Sequence, residues 1–134
     1  MVNSNLFPQE ISAREIFEAR KQDIGRALEL AEKAYTLRPN DSWIQKAYGW
    51  VLYDHSKYNF QKKYYDLANE FYTKFVSLEL PETEDNEILY KNFKKLHQKI
   101  DYYLGNINSK DFLKIIKKEI IEQLQTDVEK NKED

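Results

Sequence analysis

The stretch that decides the fold is Ala27-Leu28-Glu29-Leu30-Ala31-Glu32-Lys33-Ala34-Tyr35-Thr36-Leu37-Arg38-Pro39-Asn40-Asp41. Ala27, Ala31 and Ala34 recur at helical spacing and form a stripe of small side chains. Leu28, Leu30, Tyr35 and Leu37 stand around it. Such a stripe lets a neighbouring helix approach closely. Pro39-Asn40-Asp41-Ser42 stops the helix and supplies a cap for the next one. Upstream, Asp23 is placed to accept from backbone N–H groups two or three residues on, which sets the start.

Working outward, the pattern predicts a first helix from about Pro8 to Lys21, with Pro8 tolerated in its first turn and Ile11, Ile16 and Phe17 apolar. A third helix, Ser42 to Ser56, carries Ile44, Tyr48, Val51 and Leu52 on one face and Trp43, Ala47 and Trp50 on another. A fourth, Tyr58 to Leu78, shows the clearest stripe: Phe60, Tyr64, Leu67, Phe71, Phe75 and Leu78. Pro81 closes it, and the acidic run Glu82 to Glu87 favours the N-terminus of a fifth helix. Leu89, Phe93, Leu96, Ile100 and Tyr103 repeat cleanly to the stop at Gly105-Asn106. Asn108 or Ser109 opens a last helix with Phe112, Leu113, Ile116, Ile120 and Leu124 inward and Ile115 and Ile121 off that stripe, before a polar tail over 129–134. The expectation is one all-α domain over 1–134. It comprises six helices in three antiparallel hairpins, about 8–41, 42–81 and 82–131, with the last helix as a cap.

The quoted stretch resembles the second helix and exit loop of a tetratricopeptide repeat. That family places small residues on its second helix and a proline near the repeat boundary, about 34 residues along. Ala27, Ala34 and Pro39 match, and Ala31 replaces the usual aromatic residue. Tyr48-Gly49 falls on the Leu-Gly pair of the following first helix, and Leu52 on its next large residue. Gln45 holds the tryptophan position, with Trp43 two residues earlier. A looser likeness, Ala68, Tyr72 and Phe75, reaches Pro81, although Gly49 to Ala68 is about seven residues longer than the family spacing. Arg14-Glu15 stands where Leu-Gly is expected, and the third hairpin matches only in helix length. The resemblance implies a short array of stacked hairpins that binds a segment of another protein.

Composition limits the chemistry. With no cysteine, disulfides, thiolate catalysis and Cys-ligated zinc are excluded. Three Gly and three Pro are too few for an architecture of many tight turns. Charged residues of both signs, net −2, describe solvated helix faces and no global polyanion binder. Met1 to Glu10 shows neither a basic nor an apolar region of a secretory signal, and no apolar run approaches the roughly 20 residues needed to span a bilayer. A cytoplasmic protein that makes no membrane contact is expected.

No catalytic constellation emerges, so an enzyme is not expected. Gly-rich phosphate loops, nucleophile elbows and HExxH are missing. His97 and Asp101 share a helix face, but no third ligand completes a metal site. No metal, cofactor or small-molecule substrate is expected.

Two binding readings remain. Lys91, Lys94, Lys95 and Lys99 form a basic stripe, Lys57, Lys62 and Lys63 lie among aromatic rings, and Lys110, Lys114, Lys117 and Lys118 add another stripe, which could track phosphates. Residues 57–104 nevertheless hold 8 lysines against 8 acids, so no positive field spans the region. The leading reading is a protein–protein interaction module: an adaptor, scaffold or regulatory subunit. On the repeat resemblance its groove is lined by Ile16, Arg20, Trp43, Lys46, Trp50, Tyr53 and Asp54. Trp43 and Trp50, seven apart on one face, either line that groove or pack as core. The carboxylate-clamp variety is unsupported: Lys46 fits one clamp position, but Trp50 stands where an asparagine is required.

Overall fold

The computed structural model describes residues 11–132, which form six α-helices and, among the described residues, no strand. They are α1 (Ala13–Gln22), α2 (Ile24–Leu37), α3 (Ser42–Gln61), α4 (Tyr65–Ser77), α5 (Glu87–Tyr103) and α6 (Ser109–Lys132), with one 3-10 turn, Glu84–Asn86, leading into α5. The all-α expectation is met.

Local chemistry sets most of the boundaries. Asp23 accepts from the N–H groups of Gly25 (3.0 Å) and Arg26 (3.2 Å) to start α2. Asp41 does the same for α3 through Trp43 (2.9 Å) and Ile44 (3.2 Å), and Asn108 caps α6 through Asp111 at 2.9 Å. Gly105, at φ +83°, ends the α5 segment in the left-handed region. The expected start of the first helix at Pro8 lies outside the described residues. Ile11 and Ser12 are not helical, and Ser12 caps α1 by accepting from the Glu15 N–H.

The expected break between the third and fourth helices is corrected. Helix α3 runs past Ser56 to Gln61, and α4 begins only at Tyr65. Lys63 takes a left-handed conformation, φ +67°, and the Tyr64 N–H closes the turn on the Asn59 carbonyl at 2.8 Å. No glycine or proline advertises this stop. Tyr64 and Leu67, expected in the stripe, are therefore exposed, whereas Ala68 and Phe75 are buried. Ser56 lies inside α3, fully buried, and its hydroxyl donates to the Ala68 carbonyl at 2.9 Å, tying α3 to α4.

Sequence neighbours pack on one another, and α3 additionally touches both α1 and α5, so the odd-numbered helices stand side by side. There are two cores. Ile16, Ala27, Leu30, Ala31, Ala34, Ile44, Ala47 and Val51 form one among α1, α2 and α3. Leu52, Ala68, Phe75, Leu80, Leu89, Phe93, Leu96 and Ile100 form the other among α3, α4 and α5. Leu28 and Tyr48 pack against both. Ala47, expected beside the tryptophans, instead belongs to the first core.

The last helix departs most from expectation. It packs on α5, with Tyr102 stacked on Phe112 at 4.1 Å between centroids. Phe112, Ile115 and Ile116 are half-buried, but Leu113, Ile120 and Leu124, expected to face inward, are exposed. Periodicity located the apolar stripe without showing which side of the helix α5 would take.

Gly49 marks the closest approach to the second core. A Cβ there would stand 2.7 Å from Leu89 Cδ2 and 3.1 Å from Leu80 Cδ1, both on buried side chains. Gly49→Leu is expected to lower the unfolding free energy by at least about 2 kcal/mol, in the range of overpacked cores. Urea denaturation measures this, and an unchanged midpoint would contradict the packing described.

Candidate partner-binding face

Because α3 is flanked on both sides, much of it is covered, and one strip of it faces outward between α1 and α5. Helical spacing puts Trp43, Lys46, Trp50, Tyr53, Asp54, Lys57 and Gln61 on that strip. Trp43 is 64% exposed, a large apolar area for a helix N-terminus, and Lys46 Nζ sits 5.4 Å from its ring centroid. Trp43 also borders a small cleft with Pro81, Thr83, Asp85 and Asn86, the segment that leads into α5.

Midway, side chains of three helices form a continuous ladder. The Arg20 guanidinium of α1 grips Asp54 with two hydrogen bonds, Nε to Oδ2 and Nη2 to Oδ1, the latter at 3.1 Å. It also lies 4.6 Å from the Trp50 ring centroid, a cation–π contact. Trp50 meets Tyr53 edge-on at 5.8 Å, and Tyr53 meets Phe93 of α5 edge-on at 5.3 Å. Burial, followed by the Asp54 charge, raises the Tyr53 pKa, with Arg20 opposing, so its hydroxyl stays protonated. Trp50 is thus half-buried: one side is packed and the other faces the strip.

At the C-terminal end of α3 two clefts flank the strip. Phe17, Arg20, Lys21 and Ile24 wall one against Asp54, Lys57, Tyr58 and Gln61. The other, about 320 Å³, lies between Tyr53, Lys57, Phe60 and Gln61 of α3 and Asn92, Lys95, Leu96 and Lys99 of α5. Lys57, Lys95 and Lys99 take part in none of the ion pairs found among the described residues. Asp54, on the same face, is already neutralised by Arg20. The unpaired lysines gather at the Lys57 end of the face, and Lys46 alone stands beside Trp43 at the other.

Of the seven groove residues expected from the sequence, Arg20, Trp43, Lys46, Trp50, Tyr53 and Asp54 share this face. Ile16 does not: it is fully buried in the first core, because the alanine stripe of α2 turns that side of α1 inward. Lys57, Gln61 and Asn92, not expected on this face, line its clefts. The spacing that begins at Trp43 reaches Lys57 and Gln61, but only if α3 continues past Ser56. The lysines of α5 do not share one cleft. Lys95 and Lys99 line the cleft with α3, while Lys91 and Lys94 border one with α4 that also holds Glu82, Glu84 and Glu87.

Both histidines are engaged in packing. His55 Nε2 donates to the Ile24 carbonyl at 2.8 Å. His97 stacks on Tyr72, with centroids 3.7 Å apart, and lies 3.3 Å from Asp101. Among the described residues no three His, Asp or Glu side chains converge to hold a metal ion, and no helix is long and apolar enough to cross a membrane.

Burial lowers the His97 pKa below its usual 6.5, with the Asp101 carboxylate opposing. The unfolded chain therefore binds this proton at higher pH than the folded one. The contribution is intact above the ordinary histidine range and is lost as pH falls through it. The melting temperature should drop from about pH 7.5 to about pH 5.5, and more steeply than in His97→Phe, which keeps the stack on Tyr72. Parallel melting profiles for the two proteins would contradict this.

No protein-family model, curated protein or solved structure matches the chain, so the role of this face rests on its own geometry.

Proposed function

We propose that the chain is a non-catalytic interaction module, and that it receives a segment of another protein along the exposed strip of α3. The observation that carries this reading is the row of side chains from Trp43 through Trp50 and Tyr53 to Lys57 on one face of α3, with Arg20 on one side and Asn92, Lys95 and Lys99 on the other. Binding hot spots favour tryptophan, tyrosine and arginine held on a rigid frame, since large rings bury area with little entropy to lose. All three types stand here on packed helices. The helical-repeat resemblance supports the same face, because the concave surface of such arrays is lined by the first helix of each hairpin. A cytoplasmic adaptor or regulatory subunit is the setting that fits this reading.

The polarity of the strip selects the partner segment. An apolar or aromatic anchor suits Trp43 and Trp50, and carboxylates several residues away suit the three cations at the far end. A duplex or single-stranded nucleic acid is less well served. Apart from Lys46 beside Trp43, the unpaired positive charge of the strip lies at one end, and Lys91 and Lys94 are offset by three neighbouring carboxylates.

The test uses fluorescein-labelled peptides that join an aromatic anchor to an acidic stretch, alongside the same peptides with lysine for each acid and a mixed-sequence oligonucleotide. The anchored acidic peptides should bind best. Trp50→Ala should weaken them at least about 30-fold, as loss of a hot-spot ring does, and Lys95→Glu with Lys99→Glu should weaken them further. Tight oligonucleotide binding that falls steeply with salt would replace this reading with the nucleic-acid one.

Fluorescence separates the two rings beforehand. In Trp50→Phe the remaining Trp43 should emit to the red and be quenched readily, whereas in Trp43→Phe the remaining Trp50 should emit further to the blue. Trp43→Ala should cost under about 0.5 kcal/mol of stability, as exposed sites do. Trp50→Ala should cost roughly 2 kcal/mol, less than the roughly 3–5 of a fully buried ring. Equal emission and equal cost would contradict their different placements.

A further inference from the structure

Helix α6 uses only part of its surface. Phe112, Ile115, Ile116 and Glu119 are half-buried, and Phe112 stacks on Tyr102 in the contact with α5. Rotated away from that contact is a second apolar stripe: Leu113, Ile120, Ile121, Leu124 and Val128, each between 46% and 65% exposed. Their spacing of 7, 8, 11 and 15 residues from Leu113 keeps them within about 100° of the helix circumference. Lys117 lies on the same stripe and can extend its apolar stem along it while its ammonium reaches water. An apolar stripe this long on a water-facing helix marks an interaction surface.

The charges beside the stripe identify what covers it. Over 109–118, four lysines against Asp111 leave a net charge of +3. Over 119–132, Glu119, Glu122, Asp127 and Glu129 against Lys130 and Lys132 leave −2. A parallel pair of such helices would set like charge on like, whereas an antiparallel pair sets the basic half of each on the acidic half of the other. We propose that α6 is a self-association surface on which α6 of a second copy docks antiparallel. With the two-fold axis between Ile120 and Ile121, Leu113 meets Val128 of the second copy, and Lys114 comes beside its Asp127 and Glu129.

The area is sufficient. A 24-residue helix is about 36 Å long. Covering half its circumference buries about 550 Å² per copy, or about 1,100 Å² in all, just above the roughly 1,000 Å² of a specific interface. An interface this small fits a weak, reversible dimer. The acidic second half also makes α6 unlike helices that lie on membranes, whose polar faces are rich in Lys and Arg. The dimer surface is independent of the α3 strip.

Sedimentation velocity from about 1 to about 100 μM tests the proposal, because a weak, reversible dimer gains mass with concentration. The mass should rise toward twice the 16.1 kDa of the chain. Ile120→Glu and Leu124→Glu should each hold it at the monomer value with an unchanged far-ultraviolet spectrum, since both side chains are exposed, and with peptide binding at the α3 strip intact. Reversing Lys114 and Lys118 to Glu should weaken the dimer at least about tenfold, and adding Glu122→Lys with Glu129→Lys in the same chain should restore it. Since the chain has no cysteine, single replacements report direction. Ile120→Cys should cross-link to itself, whereas Leu113→Cys should cross-link only to Val128→Cys. A monomer at every concentration, a dimer indifferent to Ile120→Glu, or self-cross-linking of Leu113→Cys would overturn the proposal. Binding of the monomer to vesicles containing phosphatidylserine, with no dimer in solution, would overturn it in favour of a lipid surface.

Discussion

Helix α3 belongs to two cores at once, and the arrangement of the other helices follows from that. Ile44, Ala47 and Val51 face α1 and α2, while Gly49 and Leu52 face α4 and α5. A helix with apolar residues on opposite sides cannot be satisfied by one partner, since each uncovered large side chain forfeits about 1.5–3 kcal/mol of burial. It therefore draws a helical pair to each flank. Between the two flanks one strip stays in contact with water, held by packing on both sides. Side chains on such a strip keep their geometry, as a recognition surface requires.

Small residues place the flanking helices close enough for this to work. Ala27, Ala31 and Ala34 are fully buried where α2 meets its neighbours. Gly49 admits Leu89 and Leu80, and Ser56 reaches the Ala68 carbonyl. Close approach brings Arg20 from α1 and Tyr53 and Phe93 from α3 and α5 into one ladder of rings and charge. The Arg20–Asp54 pair is partly shielded from solvent, so its two hydrogen bonds fix the guanidinium over Trp50 rather than leaving it to sample rotamers.

Features written in local chemistry were legible in the sequence. Asp23, Asp41 and Gly105 act as expected, because a cap or a left-handed stop depends on one residue and its own backbone. The alanine stripe was legible for the same reason. The turn at Lys62 to Tyr64 was not, since Lys63 adopts a positive φ without glycine or asparagine and is held by backbone bonds and by packing of α4 on α3. That error hid Lys57 and Gln61 from the face that begins at Trp43. Ile16 and Arg20, four residues apart on α1, illustrate the remaining limit. Spacing puts them on one side of the helix, but the rotation of α1 against α2 decides that Ile16 is core and Arg20 is surface. In α6 the same ambiguity concerns a whole stripe, whose partner no periodicity can name.

The binding role proposed for the α3 strip is tested most directly by nuclear magnetic resonance during titration with an anchored acidic peptide. The chain has two tryptophans, both on the strip, so their indole N–H signals report on it without assignment of the remainder. Both signals should shift together with the backbone amides of Tyr53, Lys57 and Lys95, while those of the buried face of α2 stay in place. Shifts confined to Lys91 and Lys94 or to α6, with both indole signals unmoved, would contradict the assignment of this face.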